Sequence, residues 1–212
     1  MLFRHLLLAA LIPLLAACPP TNRRGDDDDS ASDDDDTVSN DDDAAGAVAV
    51  EFDTTMGAFT IEFYEEESPI TVANFLTYVD EGHFDGTDGE GTTQFHRIID
   101  GFVVQGGGVD EFGSLKDTHD PIVNEAISSG LSNTRGSVAM ARTSVPDSAT
   151  SGFYVNLEDN LFLNPGESTA EGYAVFGEVV DGMDVIDAMG SVATDGNDQP
   201  LELVLVNSVT RL

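Results

Sequence analysis

The fold of this chain is decided by residues 94–107, QFHRIIDGFVVQGG, which predict two short strands joined by a tight turn at an Asp-Gly dipeptide. Alternate side chains of a strand face the same way, so Phe95 and Arg97 are expected to share one face. By the same rule, Phe102 and Val104 are expected to share a face of the second strand, unless a bulge intervenes. An arginine beside aromatic side chains on a rigid sheet suits a polar backbone group carried by an apolar ligand. The pattern also fits an ordinary amphipathic hairpin whose arginine is solvated, and the residues alone leave both interpretations open.

Short strands and two helices are predicted around this hairpin. The strands are expected at 47–53, 58–64, 137–142, 153–156, 174–179 and 201–210. The first helix has Ser68 as its N-cap and Pro69 at the first helical position, and Gly82 ends it. The second helix covers 183–189, and residues 109–131 are expected to be mostly loop. Many short strands with two helices indicate an antiparallel barrel with capped ends.

The composition is strongly acidic, with a net charge of −32 over 212 residues. Residues 47–212 carry 29 acidic side chains against five basic ones, which is a net charge of −24 for this part of the chain. Such a surface repels nucleic acid and anionic lipid headgroups, so neither is expected as a partner. The excess of carboxylates favours solubility or suits a medium of high salt, and the sequence does not separate these two interpretations.

The first 18 residues have the features of a secretion signal. A short basic start is followed by an apolar run at 6–15, which is too short to span a membrane comfortably and contains Pro13. Small residues precede Cys18, the sole cysteine, in a pattern that resembles the lipoprotein box of bacterial exported proteins. We therefore expect a lipoprotein signal peptide over 1–18 that ends at Cys18, where lipid would anchor the protein without spanning the membrane. The alternative is a plain signal peptide that happens to contain a cysteine.

An aspartate-rich linker is predicted at 19–46. It contains eleven aspartates and no aromatic residue, so it cannot bury enough surface to offset chain entropy and is expected to be disordered. Like charges extend such a segment, which would hold the following domain away from an anchor. Calcium binding by the aspartate runs is the alternative, although a calcium site normally needs a shaped loop with mixed ligands. A globular domain is expected over 47–212.

Four segments of this domain resemble cyclophilin-type peptidyl-prolyl cis-trans isomerases, and they occur in the order of that family. The segments are FHRIIDGFVVQGG at 95–107, NTRGSVAMART at 133–143, SATSGFYVNLEDNLFLN at 148–164 and YAVFGEVVDGMDVID at 173–187. The resemblance runs from about Val48 to about Arg211. It implies a mainly β fold, namely a closed eight-stranded antiparallel β-barrel capped by two α-helices. It also implies an enzyme that accelerates rotation about Xaa-Pro bonds and needs neither a cofactor nor a metal.

The resemblance assigns Arg97 as the catalytic arginine, which would hydrogen-bond the prolyl nitrogen when the bond is twisted. The matched substrate-binding positions are Phe102, Val103, Gln105, Ala141, Tyr154, Phe162, Leu163 and Tyr173. Among them, Gln105 is implied to brace Arg97 and to contact the substrate backbone. Taken singly, each aromatic residue is better explained by core packing than by a role in a site, so only their joint placement with Arg97 supports a site.

The chain departs from the family pattern at several positions. Gly152 stands where the family usually has glutamine, and the loss of that side chain predicts lower affinity or altered specificity without loss of the reaction. Val103 stands where many members have methionine. Tyr154 replaces the usual phenylalanine, so its hydroxyl needs a partner if it is buried. A short insertion near 88–92 precedes the site strand; it is expected to be a solvated loop or a weak calcium site, and it lies where it could shape one wall of the groove.

Three functions are consistent with these features. The first is an isomerase tethered to the bacterial cell envelope, on its periplasmic face or at the cell surface, that assists the folding of exported proteins through their proline-containing segments. The alternative on the same fold is a non-catalytic chaperone or adaptor that binds proline-containing peptides. The third is a calcium-dependent surface protein. A monomer is expected, with membrane contact through lipid on Cys18.

Overall fold

The computed structural model describes residues 47–212. The predicted signal peptide at 1–18, its Cys18 and the predicted linker at 19–46 lie outside the described residues and stay predictions. The described residues belong to one compact unit. None of the helices in this part of the chain is long and apolar enough to cross a membrane.

The described residues form eight strands, three α-helices and one turn of 3-10 helix. The strands are β1 (Ala49–Thr54), β2 (Gly57–Phe63), β3 (Arg97–Ile99), β4 (Val103–Gly106), β5 (Ser137–Met140), β6 (Phe153–Asn156), β7 (Val175–Asp181) and β8 (Val206–Arg211). The helices are α1 (Pro69–Asp80), α2 (Ala126–Ser129) and α3 (Met183–Gly190), and the 3-10 turn is Leu161–Leu163. The mainly β fold agrees with the prediction, whereas α2 is a third helix, one turn long, within the segment that was expected to be loop.

All eight strands belong to one antiparallel sheet in the order β3-β4-β6-β5-β7-β2-β1-β8. The prediction of a closed barrel is wrong, because the edge strands β3 and β8 do not pair with each other in the described part of the chain. Only the segment before β3 reaches the opposite edge, where the N–H of Phe95 donates to the carbonyl of Val204 at 2.9 Å. The sheet is therefore an open half-barrel.

β3 does not complete the barrel because it is short and a turn covers its outer edge. Only the three residues Arg97–Ile99 pair with β4. On the other side, the N–H of Ile98 donates to the carbonyl of Asp198 at 2.8 Å, in a turn that precedes β8. Asp198 has a φ of 64°, the one positive value among the non-glycine residues described. This left-handed conformation suits a turn and not a strand.

The hairpin at 94–107 forms, but its faces differ from the prediction. Regular pairing begins only at Arg97, so Phe95 precedes the strand and enters the core while the side chain of Arg97 lies outside it. Phe102 lies in the turn after β3 and packs on the outer side, whereas Val104 is a core residue. Both face predictions are therefore wrong, because the two-residue period holds only for residues inside a paired strand.

Alternation within the central strands divides their side chains between two clusters. On one side of the sheet lies a phenylalanine-rich core, in which the ring of Phe75 from α1 lies 5.0 Å from those of Phe84 and Phe176 between centroids. Strand residues that alternate with the core residues, together with Leu163, form an outer cluster, defined as Val103, Ala139, Tyr154, Leu163 and Val175. Burial of the aromatic core thus determines which side chains face outward.

Helix α1 is capped by a residue from a distant part of the chain. It begins with proline as predicted, but Ser68 makes no capping bond and donates its hydroxyl to a strand carbonyl. The carboxylate of Glu125 accepts the N–H groups of Ile70 (3.2 Å) and Thr71 (2.7 Å) and the hydroxyl of Thr71 (2.7 Å). Glu125 is only 6% exposed. Helix donors and the positive end of the helix therefore stabilise this buried charge.

Replacing Glu125 with Ala is expected to lower the free energy of unfolding by about 1–3 kcal/mol, because buried helix donors lose their acceptor. Urea unfolding followed by circular dichroism measures the change. Glu202→Ala is the matched control, since its side chain is exposed and its removal should alter the free energy by less than about 0.5 kcal/mol. Equal stability of Glu125→Ala and the wild type would contradict the capping role.

Candidate active site

A cavity of about 250 Å³ opens on the outer face of the sheet, beside the outer cluster. Its lining residues are Arg97, Phe102, Val103, Gln105, Ala141, Arg142, Tyr154, Leu163 and Tyr173. Eight of the nine residues predicted as catalytic or substrate-binding belong to this set. The ninth, Phe162, is outside it: its ring is half exposed and stacks on Phe102 with centroids 5.6 Å apart. The fold thus brings residues from several separate segments to one hollow.

Arg97 opens β3 at the rim of this cavity. Its cross-strand partner is Gln105, whose side-chain oxygen accepts a hydrogen bond from Nη1 at 3.3 Å. On the other side, Nε lies 3.7 Å from a carboxylate oxygen of Asp198, and the Arg97 side chain is 39% exposed. A guanidinium has five N–H donors, so these two contacts orient the group and leave donors for a ligand.

Tyr154 contributes its ring to the cavity, and its hydroxyl is satisfied inside the protein. The hydroxyl donates to Oδ1 of Asn133 at 2.8 Å, and Asn133 is fully buried. The amide of Asn133 donates in turn to Oδ1 of Asn164 (3.2 Å) and to the carbonyl of Tyr173 (3.3 Å). Burial raises the pKa of Tyr154 well above its usual value, so the phenol stays neutral. Asn133 is thus the partner that this hydroxyl was expected to need.

Aromatic rings form the walls of the cavity. Tyr173 meets Tyr154 edge-on, with ring centroids 6.1 Å apart. The backbone N–H of Tyr173 donates to the carbonyl of Leu163 at 3.0 Å, which ties the loop that carries Tyr173 to the 3-10 turn. A hollow with an apolar floor, aromatic walls and a charged donor at its rim can hold a small apolar ring beside a polar group.

The family of the chain follows from its similarity to known proteins. Residues 48–211 match the family described as cyclophilin type peptidyl-prolyl cis-trans isomerase/CLD. The chain belongs to this family. This cyclophilin is 48% identical over 167 residues to peptidyl-prolyl cis-trans isomerase B of Escherichia coli, a match that covers 76% of this chain and 98% of that protein. It is 45% identical over 165 residues to peptidyl-prolyl cis-trans isomerase cyp18 of Streptomyces antibioticus, covering 75% and 95%.

Solved structures show the same fold. The crystal structure of a cyclophilin type peptidyl-prolyl cis-trans isomerase from Cryptosporidium parvum, obtained in the presence of the dipeptide Ala-Pro, matches with a TM-score of 0.62 at 23% identity. The match covers 76% of this chain and 96% of that one. The predicted family and the predicted enzyme class, peptidyl-prolyl cis-trans isomerase, are confirmed by the family match and by the curated relatives.

Two residues of the cyclophilin's site, Arg142 and Asp198, were not predicted from the sequence. Arg142 lines the cavity and directly follows Ala141, a predicted position, so adjacency was a usable signal. Asp198 reaches Arg97 from the turn before β8. The sequence carries no signal for that contact, because the two residues are far apart in the chain and belong to no common motif.

A second cavity, of about 360 Å³, adjoins the first and shares Gln105, Ala141 and Arg142 with it. Gly152 lies in its wall. A Cβ at position 152 would lie 3.6 Å from Cβ of Ala141 and 3.9 Å from the carbonyl oxygen of Gly106, which are ordinary contacts. The backbone therefore accepts a side chain at position 152, and glycine leaves open space where the family usually has glutamine.

The insertion before β3 is organised by a lysine. Nζ of Lys116 donates to the carbonyls of His83 and Gly91, both at 2.6 Å, and lies 2.9 Å from the carboxylate of Asp88. Burial alone would raise the pKa of Asp88, but the N–H of Glu90 and the ammonium of Lys116 outweigh it and lower the pKa. The Lys116 side chain is 1% exposed, so its ammonium is held within the loop that was expected to be solvated or to bind calcium weakly.

The insertion does not shape the groove directly. Within the part of the chain that the structure describes, residues 88–92 line neither the first nor the second cavity. They reach the second cavity only through Lys116, which lines it. No three acidic, histidine or cysteine side chains of residues 47–212 converge as a metal site.

Replacing Gly152 with Gln is expected to lower the KM for a proline-containing peptide by about two- to tenfold, because an amide in the second cavity adds a hydrogen bond to the substrate. A protease-coupled isomerisation assay over a range of peptide concentrations measures KM and kcat. Gly152→Ala is the matched control, since it fills the same backbone position without a hydrogen-bonding group and should change KM less. A higher KM for Gly152→Gln than for Gly152→Ala would contradict this expectation.

Proposed function

We propose that Arg97 is the catalytic group of this isomerase and acts on the prolyl nitrogen of the substrate. Resonance of the Xaa-Pro bond opposes its rotation, with a barrier of roughly 18–20 kcal/mol. Twisting the bond removes this resonance, so the nitrogen becomes pyramidal and its lone pair is localised on it. A donor directed at that nitrogen stabilises the twisted state more than the planar one, so it lowers the barrier.

The observation that carries this proposal is that a guanidinium and an apolar floor share one cavity. Arginine stays charged at every relevant pH and presents its donors in a fixed fork. The hydrogen bond to Gln105 and the ion pair with Asp198 limit the orientations of Arg97. On this proposal the ring of a substrate proline lies between Phe102 and Tyr154 while the chain beyond the bond rotates.

The substrates proposed are proline-containing segments of polypeptides. A cavity of about 250 Å³ suits one small apolar ring and not a large ligand. The related Cryptosporidium parvum protein was crystallised in the presence of Ala-Pro, which is the chemistry that this hollow suits. Aromatic and aliphatic walls would grip the ring, and backbone groups beside Ala141 together with Gln105 would hold the adjoining peptide.

The clients proposed are exported proteins, and the enzyme is proposed to be anchored to the cell envelope through lipid on Cys18. The support is the sequence pattern of residues 1–18, with a basic start, an apolar run and small residues before the cysteine. The aspartate-rich residues 19–46 would then separate the isomerase domain from the membrane surface.

Arg97→Ala is expected to lower kcat/KM for peptide isomerisation by roughly 100- to 1000-fold, since one positioned donor to the transition state is lost. The measurement is the protease-coupled assay on a proline tetrapeptide. Arg211→Ala removes the same charge from an exposed pair with Asp80 and should stay within about twofold of the wild type. Near-normal activity of Arg97→Ala would refute the role of Arg97, and peptide binding by the wild type without acceleration would favour the non-catalytic alternative.

Cys18→Ser in the full-length chain is expected to move the protein from the membrane fraction to the soluble fraction of a bacterial host, because the lipid attachment atom is lost. Detergent-phase partitioning followed by immunoblotting measures the distribution. A wild-type protein that already partitions into the aqueous phase would show that the leader is a plain signal peptide.

A further inference from the structure

Basic side chains are few in the described part of the chain, and all but one of them face a carboxylate. Residues 47–212 hold five basic side chains within a net charge of −24. The paired ones are Arg97 with Asp198 (3.7 Å), Lys116 with Asp88 (2.9 Å), Arg135 with Asp187 (2.8 Å) and Arg211 with Asp80 (2.9 Å). For Arg142 alone, no carboxylate oxygen of the described residues lies within 4.0 Å. Its charge is therefore not matched by an acidic side chain of this domain.

The guanidinium of Arg142 is nevertheless held in place. Nε donates to the carbonyl of Gly172 at 3.0 Å, Nη1 to the carbonyl of Thr143 at 2.9 Å, and Nη2 to the hydroxyl of Thr169 at 3.2 Å. Its central carbon lies 4.4 Å from the centroid of the Tyr173 ring, which is a cation–π contact. All three acceptors are neutral, and two of the five N–H groups remain without a partner among the described residues.

The position of Arg142 connects the two cavities. Three residues line both of them, and Arg142 is the charged one of the three. A peptide that places its proline in the first cavity and continues along the second therefore passes this guanidinium. The other cations that line the two cavities are Arg97 and Lys116. Arg97 lies near Asp198 and Lys116 near Asp88, so part of their charge is already balanced.

We propose that Arg142 is a specificity-determining residue that binds the carboxylate of an Asp or Glu side chain located within two residues of the substrate proline. This inference rests on the proposed function, in which the first cavity holds that proline. A fixed guanidinium with two unused donors matches a carboxylate in charge and in geometry. Little side-chain entropy is lost on binding, because hydrogen bonds and the Tyr173 ring already order Arg142.

The acidity of the rest of the domain makes this preference selective. A net charge of −24 repels acidic peptides over most of the surface. The attraction at Arg142 acts at contact distance, whereas the repulsion acts over longer distances and is the first to be screened by salt. An acidic side chain is therefore favoured only where the bound peptide places it against Arg142. The preference thus depends on the position of the acidic residue relative to the substrate proline.

The test uses the full-length protein and acetylated heptapeptides with a central proline and Glu, Gln or Lys either two residues before or two residues after it. Exchange NMR gives kcat/KM for each peptide. In one of the two positions, the wild type is expected to favour Glu over Gln by about two- to fivefold at about 0.15 M salt, where the long-range repulsion is already screened, and the ratio should approach one near 1 M salt. A Glu-to-Gln ratio of one or less at both positions overturns the proposal, whatever the variants do.

Variants then assign the preference to one side chain. Arg142→Gln should bring the Glu-to-Gln ratio to about one, and Arg142→Glu should favour the Lys peptide instead. Arg211→Gln removes the same charge elsewhere and should keep the wild-type ratio. An unchanged ratio in Arg142→Gln overturns the proposal. Absence of any isomerisation of the Gln peptide by the wild type overturns the proposed function as well, so the two failures are distinguishable.

Discussion

The site of this cyclophilin depends on the two-residue period of its central strands. Each of these strands buries one set of side chains in a phenylalanine-rich core and turns the alternate set toward the outer face of the sheet. Because Val104 and Val155 are buried in that core, their neighbours Val103 and Tyr154 must face the cleft. A slip of one residue would move the whole site into the core, so the stability of the core protects the register of the site.

Several polar groups beside the first cavity are hydrogen-bonded to one another, which restricts the arrangements open to its walls. Asn133 accepts the hydroxyl of Tyr154 and donates to the backbone carbonyl of Tyr173, so one buried amide links the ring of Tyr154 to the segment that carries Tyr173. Gln105 has a comparable role at the rim, where it contacts Arg97. A buried polar group without a partner is destabilising, so a connected network of this kind has few alternative arrangements.

The few cations of this domain are unevenly distributed between its surface and the cleft. Among the described residues, Lys116 is buried against the insertion and forms an ion pair with Asp88, and Arg135 and Arg211 form ion pairs at the surface. The remaining guanidiniums, Arg97 and Arg142, both lie at the cleft. Of these two, only Arg142 has no carboxylate neighbour among the described residues, so the hollow of an otherwise acidic domain contains one cation that is not balanced by an acidic side chain. Such a local contrast of charge affects recognition more than stability.

Sequence by itself determined the family, the enzyme class, most of the strands and the helix that starts at Pro69, because these follow from short motifs and local periodicity. It also indicated most of the residues that line the cleft, since matched positions on adjacent strands come together whenever the sheet forms. Only the tertiary structure decided that Glu125 caps α1, that Lys116 fills the insertion and that Asp198 orients Arg97. It also decided that the half-barrel stays open and that Phe95 enters the core. Each of these outcomes depends on which distant groups meet after folding, and a local pattern of residues carries no information about such encounters.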